Sequence, residues 1–155
     1  AGLAVPSQSG REGLDAFVAL VAGSLALTAI FLGLAALIAA TNVGRRPRAL
    51  ALALVVWFAA VVVFDVAVLG TASWLRSGTA SRLLVTSVLV NPVDAVRTAT
   101  LLAIEGDAAF GPASLAFFRI LGGSARAHAW LALSVLIWAT LPASIAWRQL
   151  ERADL

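Results

Sequence analysis

The chain carries few side chains that could catalyse a reaction. It has one His, no Cys, no Lys and eight carboxylates. Ser124 and His128 are four residues apart and could meet on one helix face, as a serine nucleophile and its base do. However, Ser124 lacks the Gly-x-Ser-x-Gly turn that exposes such a nucleophile, and its neighbours are Gly, Ala and Arg. We therefore expect no catalytic residue and a protein that is not an enzyme.

The sequence also contains no motif that is typical of a cofactor site or a nucleic-acid site. The sequence has no Gly-x-x-x-x-Gly-Lys-[Ser/Thr] phosphate loop, so any ATP hydrolysis requires a separate subunit. Its His, Asp and Glu residues do not cluster at the spacing of metal ligands. The eleven basic residues are all Arg and are spread along the chain, which gives no basic patch for nucleic acid. We predict no cofactor, no metal and no nucleic-acid partner.

Asp65 is the most informative single residue, because it is a lone carboxylate inside a long apolar run. Such a group indicates a substrate pathway, a proton relay or a structural ion pair. Counted from Arg48, it lies about 25 Å along a helix, near the outer boundary of a bilayer. We favour structural pairing and choose Arg97 as its partner.

A second polar group lies in the sequence NPVDAVR, which runs from Asn91 to Arg97. Asn91 as a cap, Pro92 at the first helical position and Asp94 in the first turn together indicate the start of a helix. A helix cap does not need Arg97. The motif is therefore either a well-capped interfacial helix alone, or part of an outer vestibule or docking surface that uses Arg97.

The elements that hold these residues are apolar enough to require lipid. Hydrophobic residues make up 61% of 155 positions, charged residues 12%, and the mean hydropathy is +0.98. A soluble core of this size cannot bury that much apolar surface. Three runs, 14–40, 49–70 and 129–147, are long enough to span a bilayer. Residues 1–155 are thus predicted to form a single all-α, polytopic membrane domain with three transmembrane helices and short extracytoplasmic interfacial helices.

Small residues in the first run recur at steps of three and four, which draws a stripe along one helix face and favours close packing on another helix. The stripe consists of Ala19, Ala22, Ala26, Ala29, Gly33, Ala36 and Ala40. Chance placement of Ala in an Ala-rich helix would also produce such a stripe.

In the last run, Trp130 and Trp147 lie near the two ends, as interfacial aromatic residues do.

The stretch between the second and third runs does not read as a simple span. Its most apolar part, 83–104, contains Asp94 and Arg97, and each charge at a helix centre costs about 2.5–3.5 kcal/mol. We predict interfacial or re-entrant helices over 82–122. One begins at Pro92 and runs to about Glu105, and another covers 112–121, with glycines ending both.

The distribution of Arg gives a topology. The loop 41–48 holds three Arg, and the C-terminal tail holds Arg148 and Arg152. The positive-inside rule places both in the cytoplasm, so an even number of crossings separates them. Two spans supply that number, which puts 82–122 on the outer side. The expected location is the inner (plasma) membrane of a bacterium.

These residues resemble the C-terminal half of ABC-2 type permeases. The likeness rests on NPVDAVR, on the preceding helix VVWFAAVVVFDVAVLG (55–70), on the Phe110-Gly111-Pro112 turn and on the ending WATLPASIAWRQLERADL (138–155). Within that group the chain looks most like the membrane subunit of the transporter that matures nitrous oxide reductase. The match covers nearly the whole chain, from the fourth helix of a six-helix permease to its C-terminus.

The resemblance implies partners and a role that the residues alone do not give. Members of this family have six helices per subunit, form homodimers and bind cytoplasmic ATPase subunits, mainly through their N-terminal half. The nitrous oxide reductase type also works with a periplasmic accessory protein and supports assembly of the copper-sulfur centre of that enzyme. The alternatives are an ABC-2 exporter of lipid, drug or polysaccharide, and a membrane scaffold or assembly subunit that transports nothing.

Overall fold

The computed structural model describes residues 5–106, 109 and 111–153, and these residues form an all-α protein, as predicted. Phe110, which contributes to the family likeness, lies outside the described residues, as do Asp154 and Leu155. The helices in chain order are α1 (Val5–Thr41), α2 (Arg46–Phe58), a π-helical turn (Ala59–Val63), α3 (Phe64–Ser73), α4 (Ser77–Val90), α5 (Pro92–Glu105), α6 (Pro112–Leu121) and α7 (Ser124–Ala153).

Three helical stretches are long and apolar enough to cross a membrane: Gly13–Thr41, Arg46–Ser73 and Ser124–Arg152. They contain the three predicted spans and extend beyond each of them. The second span, Arg46–Ser73, combines α2, the π-helical turn and α3 without a break. It starts before the predicted residue 49 because Pro47 fits the first turn of a helix, where its missing N–H is not needed. The third starts at Ser124 rather than 129.

The middle stretch is a sharply bent helix pair followed by a third short helix. α4 and α5 meet at 98°, a geometry that fits a broken span or a re-entrant hairpin. The bounds predicted for α5 and α6 are confirmed. Gly106 and Gly122 follow these two helices with φ of 66° and 83°, values that glycine adopts without strain. α4 begins at Ser77, five residues before the predicted start at 82, so the helical region is longer than predicted.

The core forms where α4, α5, α6 and α7 meet. It is built from six buried apolar side chains, namely Val85, Ala95, Leu102, Phe117, Ala127 and Leu131. α1 packs along α5 and α7, and glycines make this possible at two points, of which Gly33 belongs to the small-residue stripe and Gly23 does not. A Cβ on Gly23 would overlap the hydroxyl of Thr100, and Gly33 lies against Pro142 and Ala143. Other members of the stripe, including Ala29 and Ala36, remain exposed.

The second span differs from the other two spans because none of its described residues is buried. Its exposed side chains are mostly Leu, Val, Phe and Trp, which are stable against lipid and unfavourable against water. The span therefore lies at the edge of the bundle. It touches the bundle through α1, α4 and the N-terminal part of α5.

Candidate functional site

The elbow, defined here as the junction of α4 and α5 at Asn91, leaves backbone groups of α4 without helical partners. Pro92 supplies no N–H, so the last carbonyl groups of α4 need donors from elsewhere. α7 provides two of them. Ser134 donates its hydroxyl to the carbonyl of Leu89 at 2.6 Å, and the indole N–H of Trp138 donates to the carbonyl of Val90 at 3.1 Å. A broken helix can persist at membrane depth when neighbouring helices satisfy it in this way.

Asn91 connects the elbow to the second span. It is 2% exposed, and its side-chain oxygen accepts the N–H of Val93 at 3.1 Å, which confirms the predicted cap. Its amide nitrogen donates to the carbonyl of Ala60 at 2.9 Å and to Oδ2 of Asp94 at 3.2 Å. Ala60 lies in the π-helical turn, where the altered backbone bonding frees carbonyl groups for outside donors. One side chain thus caps α5, binds the second span and orients Asp94.

Asp94 is a buried carboxyl group that is only partly satisfied. It is 8% exposed, and its Oδ2 accepts from Asn91. Its Oδ1 is buried and receives no hydrogen bond. The nearest cation is the guanidinium of Arg97, whose Nη2 lies 3.5 Å from Oδ1, and that side chain is 65% exposed. An exposed, loosely placed arginine compensates a buried carboxylate only weakly.

Asp65 of α3 lines the same cavity as Asp94. Asp65, Asp94 and Arg97 together line one cavity of about 170 Å³. The predicted ion pair between Asp65 and Arg97 is not the one that the structure shows. Arg97 pairs instead with Asp94, three residues earlier on the same helix, with Nη2 3.5 Å from Oδ1. We call Asp65 and Asp94 the acidic pair.

All five residues predicted from the sequence lie at or beside the elbow. Asn91, Pro92 and Asp94 are buried there, Asp65 comes from the second span, and Arg97 marks the open side. Sequence reasoning missed Ser134, Trp138 and Ser87, which lines the cavity of the acidic pair. Ser134 and Trp138 are four residues apart on an apolar helix, a spacing that indicates a shared face but not what the face contacts.

Ser124 and His128 are in contact through the backbone carbonyl of Ser124. The ring nitrogen Nδ1 of His128 lies 2.9 Å from the backbone carbonyl oxygen of Ser124, and the ring stacks on Phe118 with centroids 6.4 Å apart. A ring nitrogen engaged with a carbonyl is in place to anchor the start of α7. Within the described ranges, no three His, Cys, Asp or Glu side chains are grouped so that they could hold a metal ion.

The fold and the elbow define the class: the chain is an all-α polytopic membrane protein, with three apolar spans and a bent helix pair between the second and third. Comparison with protein-family models, with characterised proteins and with solved structures finds no match to this chain. The likeness to ABC-2 permeases therefore rests on the residues quoted above.

Proposed function

We propose that the chain forms the C-terminal half of an ABC-2 type permease, the membrane subunit of a transporter that supports maturation of nitrous oxide reductase. The observation that carries the proposal is the elbow: a 98° break between two helices, placed between the second and third spans and hydrogen-bonded to both. Interrupted helices that enclose polar groups are typical of transport proteins and rare in inert membrane anchors.

The elbow gives the bundle a part that can change position. Its polar contacts to the second span and to α7 are a few specific hydrogen bonds, from Asn91, Ser134 and Trp138, which add to the apolar core that α4 and α5 share with α7. Hydrogen bonds of this kind can be exchanged for others, so the elbow can have two discrete arrangements. A partner that binds one arrangement more tightly shifts the population toward it. In a transporter, that partner is the ATPase.

The topology predicted from the Arg distribution assigns sides to the partners. With the Arg-rich turn at 42–48 and the C-terminal end of α7 in the cytoplasm, the ATPase approaches from that face, and α4, α5 and α6 face the periplasm. Arg97 is exposed at the open side of the elbow and is available to a periplasmic accessory protein. The full-length permease is expected to be a homodimer with two ATPase subunits.

Reconstitution of the full-length permease in proteoliposomes with a P-loop ATPase encoded beside it tests the proposal. We expect the permease to stimulate ATP hydrolysis, and Arg97→Ala to reduce assembly of the copper-sulfur centre at least tenfold while the protein still inserts. Arg76→Ala is the matched control, because Arg76 is also exposed but lies before α4, outside the cavity of the acidic pair.

The outcomes separate the alternatives. Stimulated ATP hydrolysis with unchanged maturation in Arg97→Ala contradicts a role for the elbow in partner docking. Stimulation by lipid, drug or polysaccharide in place of the maturation partners identifies a different ABC-2 exporter. No stimulation by any ATPase, with maturation still dependent on the chain, identifies a scaffold and overturns the transport proposal.

A further inference from the structure

Two cavities of different chemistry adjoin each other where α4 packs against α6. One, of about 460 Å³, is lined by two arginines, and the other, of about 200 Å³, is mostly apolar. Ser81 of α4 and Ala116 of α6 line both cavities, so the two form one continuous depression. We call them together the α4–α6 groove.

The basic end of the groove holds Arg82 of α4 and Arg119 of α6, both of them exposed. Among the described residues that line this cavity, none is Asp or Glu. In the part of the chain that the structure describes, the only salt bridge joins Arg97 to Asp94, so neither arginine of the groove has an acidic partner there. Two positive charges that line one cavity repel each other, and an anion bound between them removes that repulsion.

The apolar end of the groove continues along the same face of α4. Its lining consists mainly of apolar side chains from the two helices, namely Leu84, Val85, Val88, Ala116 and Phe117. The residues of α4 follow Ser81 at steps of three and four, which places them on one helix face. From Arg82 to Val88 the groove extends about 9 Å along the helix. Hydrocarbon is the kind of group that is stable against such a surface.

The direction of α4 aligns the groove with the bilayer. α4 runs back along the second span, because Leu84 lines one cavity with Leu69 near the end of that span. At the other end of α4, Asn91 donates to the carbonyl of Ala60, near the middle of the span. α4 therefore begins at the membrane surface and ends deep in the apolar region. Arg82 lies about 8 Å from its first residue, so the basic end of the groove is near the surface and the apolar end is deeper.

We propose that the α4–α6 groove binds one anionic phospholipid, with the phosphate between Arg82 and Arg119 and an acyl chain along the apolar end. Arginine suits phosphate because its planar guanidinium donates two parallel hydrogen bonds. Basic pockets between membrane helices bind anionic lipid head groups in the same way. The lipid is a resident ligand that joins α4 to α6. The proposal does not depend on the permease assignment, because it needs only the bilayer and groups within this chain.

Native mass spectrometry of the full-length protein in detergent micelles measures the head-group preference. We expect phosphatidylglycerol to bind roughly twentyfold more tightly than phosphatidylcholine with the same acyl chains, since each arginine near an anionic lipid contributes about a factor of five. Arg82→Gln and Arg119→Gln should each remove one such factor. Arg76→Gln is the matched control and should leave the affinity unchanged, because Arg76 is exposed and lies outside the groove. Equal affinities for the two lipids, or an unchanged preference in the double arginine variant, overturn the proposal.

A variant at the junction of the two cavities tests the path of the acyl chain. Ala116→Leu places a larger apolar side chain there, and the adjoining cavity of about 200 Å³ leaves room for it. The affinity for long-chain phosphatidylglycerol should fall to that for the dihexanoyl form, whose own affinity should stay the same. Leu115→Phe is the control, because Leu115 is exposed on α6 and lines neither cavity. A variant at Ala116 that keeps the full preference for the long chain contradicts the proposed path.

Free phosphate and a protein partner are the competing occupants. If inorganic phosphate displaces phosphatidylglycerol when the two are present at equal concentration, the groove is a site for free anions and the lipid proposal is wrong. If the double arginine variant keeps its lipid preference but no longer binds the periplasmic accessory protein, the groove is a protein-docking surface. Lipid binding that resists phosphate and is lost in the double variant supports the proposal.

Discussion

Helix α5 meets α1 and the second span through surfaces of opposite chemistry. Toward α1 the contact is made by small residues, with Gly23 set against Thr100. Toward the second span it is made by the hydrogen bond from Asn91 to the carbonyl of Ala60, beside the cavity that Asp65 and Asp94 line. Close packing of small residues depends on shape and responds little to solution conditions. A hydrogen-bonded contact depends on one donor, which can exchange one acceptor for another. One side of α5 is therefore fixed and the other conditional.

The largest expected effect comes from removing the residue that holds the conditional side. Asn91→Leu deletes the cap of α5, worth about 1 kcal/mol, and leaves the partly buried Ala60 carbonyl unsatisfied, which costs about a further 1–3 kcal/mol. We expect a loss of about 3 kcal/mol in unfolding free energy, measured by denaturant titration in micelles. Asn42→Leu is the control: its amide serves the end of α1, and its loss should cost under about 1 kcal/mol. Equal losses in both variants would contradict the role of Asn91 as the cap of α5 and the contact to the second span.

The fixed side, where α1 packs against α5, should be disrupted by a larger side chain at Gly23. Gly23→Leu forces a side chain into the space of Thr100, and overpacking of this kind costs about 1–3 kcal/mol. Gly70→Leu is the matched control in the second span, because nothing lies within 4 Å of a Cβ at that position. The thermal midpoint should fall in the first variant and stay within error in the second. Thr100→Ala should restore part of the stability of Gly23→Ala, and absence of that rescue contradicts the contact.

The support that α7 gives to the elbow is expected to have a smaller effect. Ser134→Ala removes one hydrogen bond to Leu89, and single hydrogen bonds between membrane helices contribute about 0.6 kcal/mol on average. Ser144→Ala removes a bond to Leu141 within the same helix and should change less. Hydrogen exchange at the end of α4 is the sensitive measurement. Faster exchange in Ser144→Ala than in Ser134→Ala would exclude the proposed support.

Among these variants, substitution of Arg97 is expected to have the smallest effect on stability. Its side chain is largely exposed and its ion pair with Asp94 is long, so Arg97→Gln should change the unfolding free energy by less than about 0.5 kcal/mol. Denaturant titration in micelles checks this, and a loss above about 1 kcal/mol contradicts it.

The sequence was sufficient for the elements whose signals are local. Length and hydropathy located the three spans, and Asn91 with Pro92 located the start of α5, because a cap and a first-turn proline act within a few residues. Gly106 and Gly122 likewise marked the ends of α5 and α6. These features depend on backbone geometry near the residue itself, and tertiary contacts do not alter them.

Contacts between residues that are far apart in the sequence were not predictable in the same way. Charge complementarity suggested that Asp65 pairs with Arg97, yet the structure pairs Arg97 with Asp94 on its own helix. The direction of a side chain on the second span depends on the π-helical turn, which changes the helical phase and leaves no sequence signature. The role of Trp138 was hidden for a related reason, since its acceptor lies 48 residues away on α4.

The direction in which the Asp65 side chain points depends on the number of residues in the π-helical turn. A π-helical turn accommodates one residue more than the α-helical turn it replaces, and each residue of an α-helix turns the chain by about 100°. Deleting one residue between 59 and 63 would restore a regular helix and rotate everything beyond it. The carboxyl group of Asp65 would then be rotated away from the elbow with almost no change in composition or hydropathy. Indels in this short window are therefore expected to be far less tolerated than substitutions.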